Sequence, residues 1–112
     1  MRSLCLGLLA AVSFSSLAIN SDYVGSSTST IVMVNSYSEY GGGDVYFTLA
    51  SSADECPNGY WMRKTDPGFQ ANLSMVIAAY QAKSSVRIYG LPDEMWSGTS
   101  GKACRLYAIS YR

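Results

Sequence analysis

A single helical segment lies among several β-rich runs, and this arrangement restricts the fold of the chain more than any other feature. The segment runs from Thr65 to Lys83. Asp66 is a good helix N-cap, and Pro67 suits the first helical position, so the helix is predicted to begin there. Its apolar residues recur at helical spacing and predict one buried stripe, made of Phe69, Leu73, Val76, Ile77 and Tyr80.

Five β-rich runs surround this helix, three before it and two after it. Turn residues separate them, and one run alternates so that Val45, Phe47 and Leu49 share a face. A mainly β chain with one helix between its third and fourth strands is typical of an OB-fold, so we predict a five-stranded OB-fold barrel of order β-β-β-α-β-β. An open antiparallel sheet capped by the helix is the competing architecture. The runs are Thr30 to Tyr40, Val45 to Ala50, Tyr60 to Met62, Ser84 to Leu91, and Lys102 to Arg112.

The first residues have the layout of a secretory signal peptide. Arg2 precedes an apolar run from Leu4 to about Phe14, and small residues end at Ala18. The apolar run is too short to span a bilayer. We therefore expect residues 1–18 to be a signal peptide, residues 19–112 to form a single domain, and the protein to be secreted or periplasmic.

Two cysteines remain beyond that leader, Cys56 and Cys104. In an oxidising compartment such a pair forms a disulfide more readily than a metal site, since a structural zinc ion needs four ligands and the chain has no histidine. The cross-link would close a loop of roughly 48 residues and contribute about 3 to 4 kcal/mol by the chain-entropy argument.

Charge and composition indicate binding rather than catalysis. The formal net charge is +0, with no basic cluster that would suit nucleic acid or an anionic membrane. Without histidine, and with carboxylates mostly in turns, we predict no catalytic residues, no metal site and no cofactor. Nine tyrosines and two tryptophans, by contrast, offer apolar faces with polar tips that suit sugar rings. Each tyrosine has a structural role as its alternative, in covering the sheet or packing at an interface.

The runs "DVYFTLASS" and "VRIYGLPDEMW", together with the segment around Cys56, carry a resemblance to a known family. They resemble the B subunit of subtilase cytotoxin and its relatives, which are secreted OB-fold subunits of AB-type bacterial toxins. The resemblance implies a homopentamer that binds a host-cell glycan, with a toxic A subunit as a further partner. In that family a tyrosine directly after the Arg-Ile-Tyr run helps to hold the sugar, and here that position is Gly90.

Four residues are predicted to contact carbohydrate. The resemblance places a sugar-binding serine near Ser29, and Thr28 offers a neighbouring hydroxyl. Tyr89 lies in the fourth β-rich run, and Trp96 lies in a loop with small neighbours, where it would either line the binding surface or anchor the end of the barrel. The predicted function is glycan recognition by a toxin B-like subunit. The alternative is a periplasmic OB-fold protein with a structural or protein-interaction role.

Overall fold

The computed structural model describes residues 22–112, so the predicted signal peptide lies outside the described residues. These residues form one α-helix and six strands, with a short 3-10 turn at Tyr40–Gly42. In chain order the elements are β1 (Val24–Gly25), β2 (Ile31–Ser36), β3 (Val45–Leu49), β4 (Tyr60–Met62), α1 (Phe69–Ala82), β5 (Val86–Met95) and β6 (Cys104–Tyr111). The prediction of a mainly β chain with one helix is confirmed.

The six strands form one mixed sheet in the order β1-β5-β6-β4-β3-β2. Every neighbouring pair is antiparallel except β4 and β6, which are parallel and pair Tyr60 with Cys104. A parallel pair needs a long crossover connection, and here the chain between β4 and β6 includes the helix and β5. The ends of the sheet are β1 and β2, which follow one another directly in sequence.

The predicted five-stranded barrel is not formed, because the described residues form an open sheet of six strands. A sixth strand lies ahead of the first predicted one, where Val24 and Gly25 pair with Gly90 and Tyr89. The sheet is open because no ladder joins β1 to β2. The competing prediction, an open antiparallel sheet, is correct that the sheet is open. It is wrong that all neighbouring strands are antiparallel, because β4 and β6 are parallel.

The core lies between the sheet and α1. As predicted from the alternation in β3, Val45, Phe47 and Leu49 are buried. The helix buries Phe69, Val76 and Ala79, with Leu73 partly buried, whereas Ile77 and Tyr80 are 46% and 37% exposed. The stripe that contacts the sheet is therefore narrower than the predicted one, because a helix lying on a sheet buries only the positions that face it directly.

The helix also begins later than its sequence indicates. Its first residue is Phe69, and the N-cap Gly68 makes no side-chain cap. The Asp66 carboxylate does not cap the helix; its Oδ2 instead accepts a hydrogen bond from the backbone N–H of Arg63 at 2.9 Å. This leaves Asp66 in the turn before α1, where it can interact with the sheet.

The predicted disulfide is present and lies in the core. Cys56 and Cys104 are bonded, with their Cα atoms 5.4 Å apart and both residues fully buried. Gly90 packs against them, because a Cβ added there would lie 2.7 Å from Cε1 of Tyr60 and 3.0 Å from Cβ of Cys104. A tyrosine at this position, as the family resemblance suggested, has no room in this structure.

Among residues 22–112, Tyr60 is the largest fully buried side chain, and its phenol makes the stability of the fold depend on pH in the alkaline range. Burial raises the pKa of Tyr60 above its ordinary value of about 10, so the folded chain holds this proton more tightly than the unfolded chain. Its contribution to stability is therefore present below about pH 10 and is lost as the pH rises through the folded-state pKa. The free energy of unfolding of the wild type should therefore fall as the pH rises above about 10. We expect Tyr60→Phe to make this slope shallower by up to about 1.4 kcal/mol per pH unit.

Urea unfolding at several pH values above 9 would check this expectation. Tyr107→Phe is the matched control, because it removes a phenol that is about half exposed. The same slope for Tyr60→Phe and the wild type would contradict the expectation.

Candidate functional site

Three tyrosines form an aromatic surface on the outer face of β1, β5 and β6. The rings of Tyr23 and Tyr107 are stacked with centroids 4.5 Å apart and planes 8° apart. Tyr89 meets Tyr23 edge-on at 5.9 Å, and the guanidinium of Arg87 lies 5.1 Å from the Tyr89 ring centroid. Tyr23 and Tyr107 are 48% and 52% exposed. We call this surface the outer tyrosine face.

Tyr107 lies at an irregularity between β5 and β6. Tyr89 pairs with Ala108 and Gly90 with Leu106, so the register shifts by one residue and leaves Tyr107 as the extra residue of a β-bulge. A bulge bends its strand. Tyr107 lies on the same side of the sheet as Arg105, two residues before it, as the alternation of a strand requires.

A groove of about 380 Å³ borders Tyr107 at the N-terminal end of α1. Such a volume lies at the lower end of the range for small-molecule sites. Its polar side chains are those of Asp66, Asn72 and Arg105, and its apolar side chains include Leu91 and Tyr107. The complete lining is Asp66, Pro67, Gly68, Asn72, Leu91, Arg105, Leu106 and Tyr107. We call this space the Tyr107 groove.

A network of ion pairs fixes the position of Arg105 and Asp66 in the wall of the groove. Arg105 donates from Nη1 to Oε1 of Glu94 at 2.6 Å and from Nη2 to Oδ1 of Asp66. Oδ1 of Asp66 also lies 3.5 Å from Nε of Arg63. Burial alone would lower the pKa of Arg105, because it disfavours the charged form. The hydrogen bonds to Asp66 and Glu94 outweigh this effect, so the pKa lies above its ordinary value. Arg105 is therefore a permanently charged and firmly positioned side chain.

Trp96 lies in a second aromatic cluster beyond the last residue of β5. Trp96 is only 5% exposed, and its ring stacks on the ring of Tyr46 with the centroids 4.8 Å apart. The ring centroids of Tyr37 and Tyr40 lie 5.5 and 5.7 Å from that of Trp96. Its Nε1 donates to Oδ2 of the buried Asp44 at 2.8 Å. Gly41, with φ of +64°, lies over this carboxylate, so a Cβ there would come within 2.1 Å of Oδ2. In this position the tryptophan anchors one end of the sheet.

Ser29 and Thr28 lie near the opposite end of β5. Backbone hydrogen bonds of 2.9 and 2.8 Å join Ser29 to Val86, the first residue of β5, and the Ser29 hydroxyl accepts from the N–H of Ser51 at 2.9 Å. Thr28 is exposed. The part of β5 from Val86 to Leu91 alone spans about 17 Å, so Ser29 and Trp96 are too far apart to contact one sugar ring.

The structure thus does not bring the four predicted carbohydrate contacts into one cluster. Tyr89 lies on the outer tyrosine face, Thr28 and Ser29 lie near one end of β5, and Trp96 lies beyond the other. The sequence reasoning did not single out Tyr23, Tyr107, Asp66, Asn72 or Arg105 as one site. Only the alternation of Arg105 and Tyr107 in the last β-rich run could have indicated that these two side chains share a face.

Residues 22–112 contain no group of three or more His, Cys, Asp or Glu side chains that could hold a metal ion. Within the same residues, α1 is neither long nor apolar enough to cross a membrane. Comparison with protein-family models, with curated proteins and with solved structures finds no match for this chain.

Proposed function

We propose that this protein binds carbohydrate, and that the sugar lies in the Tyr107 groove. The observation that carries the proposal is the half-exposed ring of Tyr107 beside a groove lined by Asp66, Asn72 and Arg105. A sugar ring presents an apolar C–H face that packs on an aromatic ring, while its hydroxyls need donors and acceptors. The groove offers both kinds of contact over a volume suited to one or two sugar rings.

An OB-like architecture fits this proposal. The parallel pairing of β4 with β6, and a helix between β4 and β5, agree with that topology once β1 and β2 are taken as two halves of one broken strand. The isolated bridge between Ser29 and Val86 lies between the two halves and extends the pairing of β1 with β5. On this interpretation the chain is a secreted or periplasmic glycan-binding subunit of the toxin B type, and the disulfide suits an oxidising compartment.

Assembly into a homopentamer is part of this proposal, as is pairing with a toxic A subunit. Repeated copies would raise the avidity for a surface that displays many glycans, because binding after the first contact becomes intramolecular. Size-exclusion chromatography with light scattering on residues 19–112 tests the assembly. A monomer at every concentration would contradict the pentamer and leave the sugar site to be judged on its own.

Tyr107→Ala is expected to weaken glycan binding at least about tenfold, which corresponds to about 1.4 kcal/mol. A glycan array identifies the bound sugars, and titration with the strongest of them measures the affinity. Tyr111→Ala is the matched control, because Tyr111 is 48% exposed on the same strand and does not line the groove. Equal loss in both variants would contradict the proposed site, and no binding of any sugar by the wild type would contradict the proposed function.

A protein-interaction role is the second candidate, and one observation favours it. Val32 on β2 is 53% exposed, and Ile77 and Tyr80 on α1 are also exposed. Val32 and Tyr80 line a second groove, of about 320 Å³, between that strand and the end of the helix. Exposed apolar side chains gathered in this way are typical of contact surfaces. Binding of a protein partner without any glycan binding would favour this candidate.

A further inference from the structure

We propose that the Tyr107 groove selects uncharged sugars over acidic ones. This inference rests on the proposed function and specifies its substrate class. Asp66 and Arg105 are the only charged side chains that line the groove, and they are bonded to each other. The groove therefore presents an aromatic ring and hydrogen-bonding groups without a free positive charge.

The charges around Arg105 balance. Two cations, Arg63 and Arg105, face two carboxylates, Asp66 and Glu94, so the network has no net charge. Arg105 is the only cation lining the groove, and two of its five N–H groups are already bonded to carboxylates. An acidic sugar would meet a guanidinium whose charge these carboxylates already balance, so a third carboxylate would gain little net attraction.

Burial increases the cost of bringing a third carboxylate to Arg105. The side chains of Asp66 and Arg105 are only 11% and 21% exposed, so water screens their charges poorly. A sugar carboxylate that bonds to the remaining N–H groups of Arg105 would lie close to the like charge of Asp66, and one that displaced Asp66 or Glu94 would leave that carboxylate without its partner. Both effects disfavour an anionic ligand at this position.

A neutral sugar can form hydrogen bonds with the same groups. The oxygens of Asp66 each keep a lone pair that can accept a hydrogen bond from a sugar hydroxyl, and Arg105 keeps further N–H donors. The half-buried amide of Asn72 both donates and accepts, and it lies against Gly68 at the start of the helix. Hydroxyl groups can use all of these atoms without breaking an ion pair.

Glu94 provides the test, because it neutralises Arg105 without lining the groove. Glu94→Gln keeps the size of the side chain and one acceptor oxygen but removes a negative charge from Arg105. Asp93→Asn is the matched control, since it removes one charge from the neighbouring exposed residue and makes no ion pair in the described chain. The probes are matched methyl glycosides, glucoside with glucuronide and galactoside with galacturonide, together with lactose and sialylated lactose.

For the wild type we expect binding of the neutral member of each recognised pair at least about tenfold tighter, a difference of about 1.4 kcal/mol. Glu94→Gln should reduce this ratio at least about threefold, while Asp93→Asn should leave it unchanged. Equal or tighter binding of the acidic member by the wild type would overturn the inference while leaving glycan binding intact. An equal change in both variants, or none in Glu94→Gln, would also overturn it. Binding of none of these sugars or of any arrayed glycan would overturn the proposed function itself.

Discussion

Replacing Cys56 and Cys104 together with alanine is expected to lower the free energy of unfolding by about 3 to 4 kcal/mol. The disulfide joins residues that are 48 positions apart, so its loss frees a long loop in the unfolded chain. For a small domain with a total stability of about 5 to 15 kcal/mol, the loss is a large share.

The location of the disulfide supports the upper part of this range. Cys56 lies in the loop between β3 and β4, and Cys104 is the first residue of β6, where it pairs with Tyr60. The bond therefore holds together the parallel strand pair, which no short turn connects. Its burial means that alanine also leaves unfilled space beside Tyr60 and Gly90.

Urea unfolding of the double variant and of the oxidised wild type would measure this effect. The reduced wild type is the control, because it breaks the bond while keeping both sulfur atoms in the core. We expect the reduced protein to lose most of the same stability. A difference of less than about 1 kcal/mol between the double variant and the oxidised protein would contradict the chain-entropy account.

Trp96→Ala is expected to cost about 3 to 5 kcal/mol, the usual range for truncating a buried tryptophan. The ring is packed between Tyr37, Tyr40 and Tyr46, and its N–H is bonded to Asp44. Oδ1 of Asp44 already lacks a hydrogen-bond partner in the structure. Removing the indole would leave the other oxygen of this buried carboxylate unbonded as well.

A double-mutant cycle separates the packing of Trp96 from its hydrogen bond. Trp96→Phe keeps an aromatic ring but removes the donor, so it should cost about 1.5 to 3 kcal/mol, the range for a hydrogen bond to a charged group. Asp44→Ala should then cost less in the Trp96→Phe background than in the wild type, because the carboxylate has already lost its partner. Additive costs in denaturant unfolding would show that the bond contributes little.

The sequence predicted the local elements well where their periodicity was strong. The alternation of Val45, Phe47 and Leu49 identified a buried strand face, and Tyr60 to Met62 was identified as a short strand with the correct bounds. The disulfide was also predicted correctly. The predicted helix start was wrong. Asp66 was expected to cap α1, but its carboxylate accepts hydrogen bonds from the backbone N–H of Arg63 and from the Arg105 side chain instead.

The candidate site was the least predictable feature, because it depends on contacts between distant parts of the chain. Asp66 and Arg105 are 39 residues apart, and nothing in the local sequence of either one indicates the other. Alternation along β6 places Tyr107 on the same face as Arg105, but it gives no indication that the start of α1 lies beside them. For Trp96 the sequence left two roles open, lining the binding surface or anchoring the end of the barrel. The ring is buried among Tyr37, Tyr40 and Tyr46, which agrees with the second role.

The sequence by itself determined the mainly β character, the single helix and the buried face of β3, because these depend on the spacing of apolar side chains along a few turns or pleats. Only the tertiary structure decided that Val24 and Gly25 form a sixth strand, that β4 and β6 are parallel, and that Tyr107 borders a groove with Asp66 and Arg105. The physical reason is that strand order, bulges and ion pairs are set by the partner that each segment meets, and that partner lies tens of residues away.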